Sequence, residues 1–201
     1  MTGVIHIVDD DDAVRRSLRW LLESVDLQVL EYSDAVSFLT YADLTQLGCV
    51  LLDIRMPGMS GLTLQGELAS KAPDLPVILM TGHGDVPMAV RAMKAGAYDF
   101  FEKPYNDQLL LDTVTKAIEQ HQQRLSEQAQ ILTVEQRRTR LTRREEQVLQ
   151  CLLEGEPSKK IADRLNISVR TVDVHRHHIM TKMQVVSLAD LIRVCLEAQS
   201  H

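Results

Sequence analysis

The sequence predicts an α/β domain built from five strand–helix units, followed by a smaller all-α domain. Three observations point there. Apolar runs of β type alternate with helix-period patterns five times over roughly the first hundred residues. Beyond them only helical patterns recur. The charge divides in the same way: residues 1–120 carry 9 Lys+Arg against 18 Asp+Glu, a net −9, whereas 121–201 carry 13 against 10, a net +3. A chain of 201 residues has room for domains of about 120 and about 60 residues, each near the size at which a single core is viable.

The elements follow in order. VIHIV at 4–8 is the first strand, and 13–24 a helix with Val14, Leu18, Leu21 and Leu22 on one side. QVLEY at 28–32 is the second strand, and 35–41 a short helix. CVLLD at 49–53 is almost wholly apolar, as a central strand buried on both faces requires. Ser60 can cap a helix carrying Leu62, Leu64 and Leu68. PVILM at 76–80 is the fourth strand, 86–95 the next helix and AYDFF at 97–101 the fifth strand, with a further helix from near Asp107. Strands joined by helices form a parallel sheet covered on both faces, and such sheets bind ligands beyond the carboxyl ends of their strands.

Bulk properties exclude several classes. A hydrophobic content of 45% is too high for disorder. No run approaches the 18 or more apolar residues of a membrane span, and MTGVIHIVDDDD lacks the basic start of a signal peptide. Cys49, Cys151 and Cys195 are odd in number, lie in apolar segments and fit no metal spacing, so reduced, buried thiols in a cytoplasmic protein are expected. The overall charge of −6 argues weakly against nucleic acid, but that average hides a mildly basic second half.

Polar residues cluster at one sheet edge. Asp9 and Asp10 end the first strand, Asp53 the third and Thr81 the fourth, and Lys103 follows the fifth. Converging carboxylates cannot all stay charged and unpaired. A divalent cation resolves the repulsion, and oxygen ligands with a loop carbonyl suit Mg2+. Acids after strands can also merely cap helices. Asp11 and Asp12 fit that role, with Asp12 the expected N-cap.

VDDD at 8–11, LLDIRMPGMSG at 51–61, MTGHGD at 80–85 and MKAGAYDFFEKPY at 93–105 carry a resemblance to the receiver domain of bacterial response regulators, a (βα)5, flavodoxin-like fold. The resemblance implies that Asp53 is the phosphoacceptor, that Asp10 binds the metal directly, and that Asp9 helps through water or as a second ligand. It also implies that the backbone carbonyl of Arg55 completes the protein's metal contacts, that Thr81 hydrogen-bonds the phosphoryl group, and that Lys103 pairs with the carboxylate. The peptide bond before Pro104 is then cis. The donor is a phosphohistidine on a sensor histidine kinase; the chain shows no Walker loop and no glycine-rich kinase loop. Thr81 and Phe100 are the implied switch pair, with core packing as the alternative for Phe100, and 90–98 is the implied output or dimer face. His83, between Gly82 and Gly84, is either a general base or simply an exposed loop residue. Met56, Pro57 and Gly58 shape a turn.

There is no proline or glycine between 107 and 154. That favours a last receiver helix running on into the connection, with Leu125, Ala129 and Leu132 as a weak stripe, over a loose tether. The expected organisation is a receiver over 1–120, a helical linker over 121–138 and a second domain over 139–201. In the last, Thr142 with Glu145 forms a capping box for a helix carrying Val148, Leu149, Leu152 and Leu153 that stops near Gly155. A helix over 158–165 buries Ile161, Ala162 and Leu165. Asn166 and Ile167 turn the chain, Ser168 caps a third helix with Val172, Ile179, Met183 and partly His175 inward, and Ser187 caps a fourth.

The pair 158–165 and 169–182 has helix-turn-helix proportions, and 136–182 holds 11 Lys+Arg against 6 Asp+Glu. Composition alone leaves DNA and a protein partner both open. LTRREEQVLQCLLEGEPSKKIADRLNISVRTVDVHRHHIMTKM at 141–183, then SLADLIRV, resemble the four-helix DNA-binding domain of LuxR-type transcription factors. With a receiver in front, the FixJ-like response regulators, near the NarL group, are the nearest type. The resemblance makes 169–182 the recognition helix. Ser168, Arg170 and Thr171 then meet the DNA backbone; Asp173, Val174 and His177 face base edges; and Lys160, Arg176 and Lys182 contact phosphates. Asp173 can accept from cytosine N4 or pair within its helix with Arg170 or His177. His175, His177 and His178 cannot easily aim at one metal from a single helix.

These readings describe a transcription regulator controlled by phosphorylation of Asp53, without enzymatic turnover beyond accepting and slowly losing its own phosphoryl group. The expected partners are a sensor histidine kinase, double-stranded promoter DNA bound as a homodimer and RNA polymerase, with activation rather than repression as the output. Two alternatives are a Mg2+-dependent phosphatase, for which Arg55 stands where an acid is usual, and an adaptor without DNA binding.

Overall fold

The computed structural model describes residues 3–82 and 86–199; His83 and Gly84 lie outside them. The chain divides into two compact units, Met1–Leu125 and Ser126–His201.

The first unit holds β1 (Val4–Val8), α1 (Asp12–Glu23), β2 (Gln28–Tyr32), α2 (Ala35–Tyr41), β3 (Gly48–Asp53), α3 (Gly61–Lys71), β4 (Val77–Thr81), α4 (Val86–Lys94) and β5 (Asp99–Glu102). α5 (Asp107–Arg138) begins there and continues unbroken past the unit boundary, as the glycine-free, proline-free stretch predicts. The five strands are all parallel, in the order β2-β1-β3-β4-β5. Successive side chains leave opposite faces of a strand, so each inner strand feeds two cores. Ile5, Ile7, Cys49, Leu51, Ile78 and Met80 pack with Leu18 and Leu22 of α1 and Leu110 and Val114 of α5. Val8, Val50, Leu52, Val77 and Leu79 pack with Phe38 of α2, Leu64 and Leu68 of α3 and Ala92 of α4. Every residue of β3 is buried, as expected of a central strand.

Several boundaries differ from expectation by a residue or two. Asp11, not Asp12, caps α1: its backbone is extended and its carboxylate accepts from Ala13 N at 2.8 Å. Asp12 enters the first turn and pairs with Arg15 and Arg16. β5 starts at Asp99 because the Ala97 amide is taken by Ala92 O, closing α4 across the left-handed Gly96. β4 starts at Val77, one residue after the proline.

The second unit contains the end of α5, then α6 (Arg143–Leu153), α7 (Ser158–Leu165), α8 (Val169–Met183) and α9 (Leu188–Gln199). The capping box of Thr142 and Glu145 is formed, and Ser168 caps α8 through Thr171 N. Asn166 takes the left-handed conformation between α7 and α8. One core joins Val134, Val148, Leu149, Leu152, Ile161, Val172, Ile179, Met183 and Leu191. All three cysteines are reduced and buried. No helix among the described residues is long and apolar enough to cross a membrane.

Candidate functional site

β1 and β3 are adjacent, yet their following helices leave on opposite faces of the sheet. That arrangement opens a crevice at the strands' carboxyl ends. Asp9 and Asp53 lie in it, both buried. Lys103 enters from the end of β5 and bridges them, its Nζ 2.6 Å from Asp9 Oδ2 and 2.6 Å from Asp53 Oδ1. The backbone fixes the remaining oxygens: Arg55 N donates to Asp53 Oδ2 at 2.6 Å, and Asp11 N to Asp9 Oδ1 at 2.9 Å. Lys103 is itself placed by its amide, which donates to Thr81 O at 2.7 Å, and the Lys103–Pro104 peptide is cis. Thr81 is fully buried at the end of β4, whereas Asp10 and Arg55 are exposed at the rim. Gly58 takes φ +77° in the turn after Asp53, a conformation glycine adopts without steric cost.

Burial raises the Asp9 carboxyl above its ordinary value, and the nearby Asp53 charge adds to this, outweighing the hydrogen bonds from Lys103 and Asp11. Burial opposes the charge on Lys103, yet its hydrogen bonds to Asp53 and Asp9 hold its pKa above the usual lysine value. Two buried carboxylates thus share one ammonium, with Asp10 exposed at the rim. Hard carboxylate oxygens in that condition fit a divalent cation such as Mg2+. Among the described residues no three His, Cys, Asp or Glu side chains are drawn together as a ready metal cage.

Arg15 was not visible as a site residue in the sequence. Its Nη1 donates to Asp9 O at 2.7 Å and its Nη2 to Asp12 Oδ1 at 2.9 Å, so α1 clamps the turn that carries Asp9. Phe100 is half-buried against the core shared by α2, α3 and α4. Val90 and Met93 are exposed on α4.

In the second unit α8 buries Val172, Ile179 and Met183 and exposes Arg170, Asp173, Val174 and His177. Ser168 and Thr171 share a hydroxyl–hydroxyl bond of 2.8 Å at its start. Lys160 is exposed and pairs with Glu156 at 3.0 Å. Arg176 Nη1 donates to Ser158 Oγ at 2.9 Å. Lys182 is drawn inward: its Nζ donates at 2.6 Å to Glu145 Oε2, a buried carboxylate. Burial opposes the Glu145 charge, but hydrogen bonds from Lys182 and Thr142 outweigh it and bring the carboxyl down to about 2. The sequence marks Lys182 only as a cation on a polar helix face. Its partner lies 37 residues away.

Comparison with known proteins finds a family match for each of the two units. The family model for the response regulator receiver domain matches residues 5–115, and that for bacterial regulatory proteins of the luxR family matches 139–195. The chain is 45% identical over 194 residues to the transcriptional regulatory protein FixJ of Azorhizobium caulinodans, covering 96% of this chain and 92% of that one. It is 46% identical over 192 residues to the response regulator protein TmoT of Ectopseudomonas mendocina, covering 96% and 87%. Among solved structures, the response regulator StyR superposes with a TM-score of 0.86 at 42% identity, covering 98% of this chain and 100% of that one. Full-length FixJ from B. japonicum gives 0.59 at 40% identity, covering 100% of both. The chain therefore belongs to the FixJ-like response regulators, transcriptional regulators of two-component systems that join a receiver domain to a LuxR-type DNA-binding domain.

Proposed function

We propose that this regulator is switched by phosphorylation of Asp53. The observation that carries the reading is the Lys103 ammonium shared between buried Asp9 and Asp53 at the carboxyl edge of the sheet. One Asp53 carboxylate oxygen attacks the phosphorus of a sensor kinase's phosphohistidine. The O–P bond forms as the N–P bond breaks, and the electron pair leaves with the imidazole. Lys103 offsets charge on the transferred oxygens, and Arg55 N orients the acceptor. Asp9, Asp10, Asp53 and the Arg55 carbonyl would hold Mg2+, which supplies further charge neutralisation when bound. The Thr81 hydroxyl donates a hydrogen bond to the phosphoryl group on Asp53, and Phe100 follows it by repacking. The chain turns over no substrate of its own.

The output is promoter DNA bound by α8 as a homodimer, with activation through RNA polymerase in the cytoplasm. The receiver spans 1–120, the linker 121–138 and the DNA-binding domain 139–201. Ser168, Arg170 and Thr171 face the backbone; Asp173, Val174 and His177 face base edges; Lys160 and Arg176 face phosphates. Lys182, held by Glu145, is the weakest phosphate candidate. Incubation with acetyl phosphate and Mg2+ should add one phosphoryl group to the wild type and none to Asp53→Ala, with a rise in solution mass and in DNA affinity. Equal mass and equal affinity with and without the phosphodonor would remove the switch.

A further inference from the structure

The hydroxyl of Ser158, the first residue of α7, lies between two charged side chains of α8. It accepts from Arg176 Nη1 at 2.9 Å and donates to Asp173 Oδ1 at 3.4 Å. A serine hydroxyl has one proton to give and lone pairs to accept, so both roles are met at once. Asp173 and Arg176 stand three residues apart on one helix face. The hydrogen-bond partner of Asp173 lies across the turn on α7 rather than at Arg170 or His177 of its own helix. Ser158 and Arg176 are half-buried, while Asp173 and its neighbours Val174 and His177 are exposed.

This arrangement bears on a difficulty of the recognition helix. A free aspartate approaching DNA is repelled by the phosphates and loses rotamer freedom on binding. An aspartate tied through a hydroxyl to a neighbouring guanidinium is oriented beforehand, and its charge is locally offset. We propose that Ser158 is a positioning residue for sequence readout. It holds the Asp173 carboxylate and the Arg176 guanidinium as one unit, through which Asp173 accepts from cytosine N4 at a C·G pair. The inference rests on the DNA-binding reading above and adds Ser158 as the residue that orients Asp173 for that base.

The test selects duplexes from a random-sequence library with the full chain, in acetyl phosphate and Mg2+. Wild type, Ser158→Ala, Ser158→Thr and Asp173→Ala are compared, with thermal melts of the same samples. The wild type should prefer C·G at one position of each half-site. Ser158→Ala and Asp173→Ala should reduce that preference by about tenfold at the same position, Ser158→Thr should keep it, and the rest of the site should not change. An unchanged preference in Ser158→Ala overturns the proposal. So does a loss spread evenly over all sequences, or a Ser158→Thr that melts normally yet loses the preference. If Ser158→Ala melts early, Arg176→Gln provides the test, since it breaks the unit and leaves Ser158 in place; retention of the C·G preference there overturns it. A normally melting wild type that selects no sequence fails differently, because it removes the DNA-binding reading together with the inference built on it.

Discussion

Lys103 gives Asp9 a hydrogen bond of the same 2.6 Å length that it gives Asp53. The lysine is therefore as much the counter-ion of Asp9 as of Asp53. Removing one partner of a buried ion pair leaves uncompensated charge. Lys103→Ala should cost the receiver about 2 kcal/mol or more without Mg2+, discounted from the fully buried case because Lys103 keeps some exposure. A cation that binds the folded state stabilises it by mass action, so added Mg2+ should raise the variant's melting temperature more than the wild type's. Equal shifts in calorimetry would show that Lys103 and the cation do not compete for the same carboxylates.

Glu145 joins the Thr142 cap to Lys182 across 37 residues. Its carboxyl is lowered from 4.5 to about 2 in the folded state, so between those values the unfolded chain binds more protons than the folded one. The stability it supplies is complete above about 4.5 and is lost as pH falls towards about 2. Glu145→Gln should cost about 1–2 kcal/mol at neutral pH through the weakened cap and lost ion pair. It should also flatten the acid limb of the second domain's stability curve. Urea melts followed from pH 6 to pH 3 check this, and parallel curves for wild type and variant would refute it.

The convergence of Asp9, Asp53 and Lys103 was legible because a parallel sheet aligns its strand ends. Once Asp9, Asp53 and Lys103 were placed after β1, β3 and β5, topology alone brought them to one edge. The burial of 49–53 on both faces was equally readable from its composition. Choices among neighbours were not. Asp11 and Asp12 are the same residue type, and only the extended backbone at Asp11 makes it the cap. Arg15, Ser158 and the Lys182–Glu145 pair were invisible for another reason. Each depends on which of several rotamers meets a group far along the chain, and a polar face at helical spacing does not say whether a lysine meets phosphate or a buried carboxylate.

That distinction makes Lys182 and Arg170 separable. Arg170 is exposed near the start of α8, whereas Lys182 is held by Glu145. Arg170→Ala should weaken binding to all DNA sequences alike and reduce the slope of log affinity against log salt by about one. Lys182→Ala should leave that slope unchanged and instead lower the melting temperature of the second domain. Titrations at several salt concentrations alongside melts decide it; a reduced slope for Lys182→Ala would restore it as a phosphate contact.

Gly61 opens α3 against the backbone that carries Asp53. A Cβ at this position would lie 2.1 Å from Asp53 O and 2.9 Å from Ile54 Cα. Both neighbours are main chain, so no rotamer change relieves the clash, and Gly61 N is also bonded to Ile54 O at 3.0 Å. Gly61→Ala must therefore push α3 away from residues 53–55. Because Arg55 N holds Asp53 Oδ2, a shift of that turn tilts the Asp53 carboxylate. The variant should lose about 2–3 kcal/mol of stability and accept phosphoryl from acetyl phosphate roughly tenfold or more slowly, since small misplacements of a reacting group are costly. Gly66 lies in the same helix with nothing within 4 Å of its Cβ position. Gly66→Ala should gain about 0.5–1 kcal/mol from helix propensity and phosphorylate at the wild-type rate. Intact-mass time courses beside urea melts separate the two effects: a destabilised Gly61→Ala that still phosphorylates at the wild-type rate would show that the α3 turn does not orient Asp53.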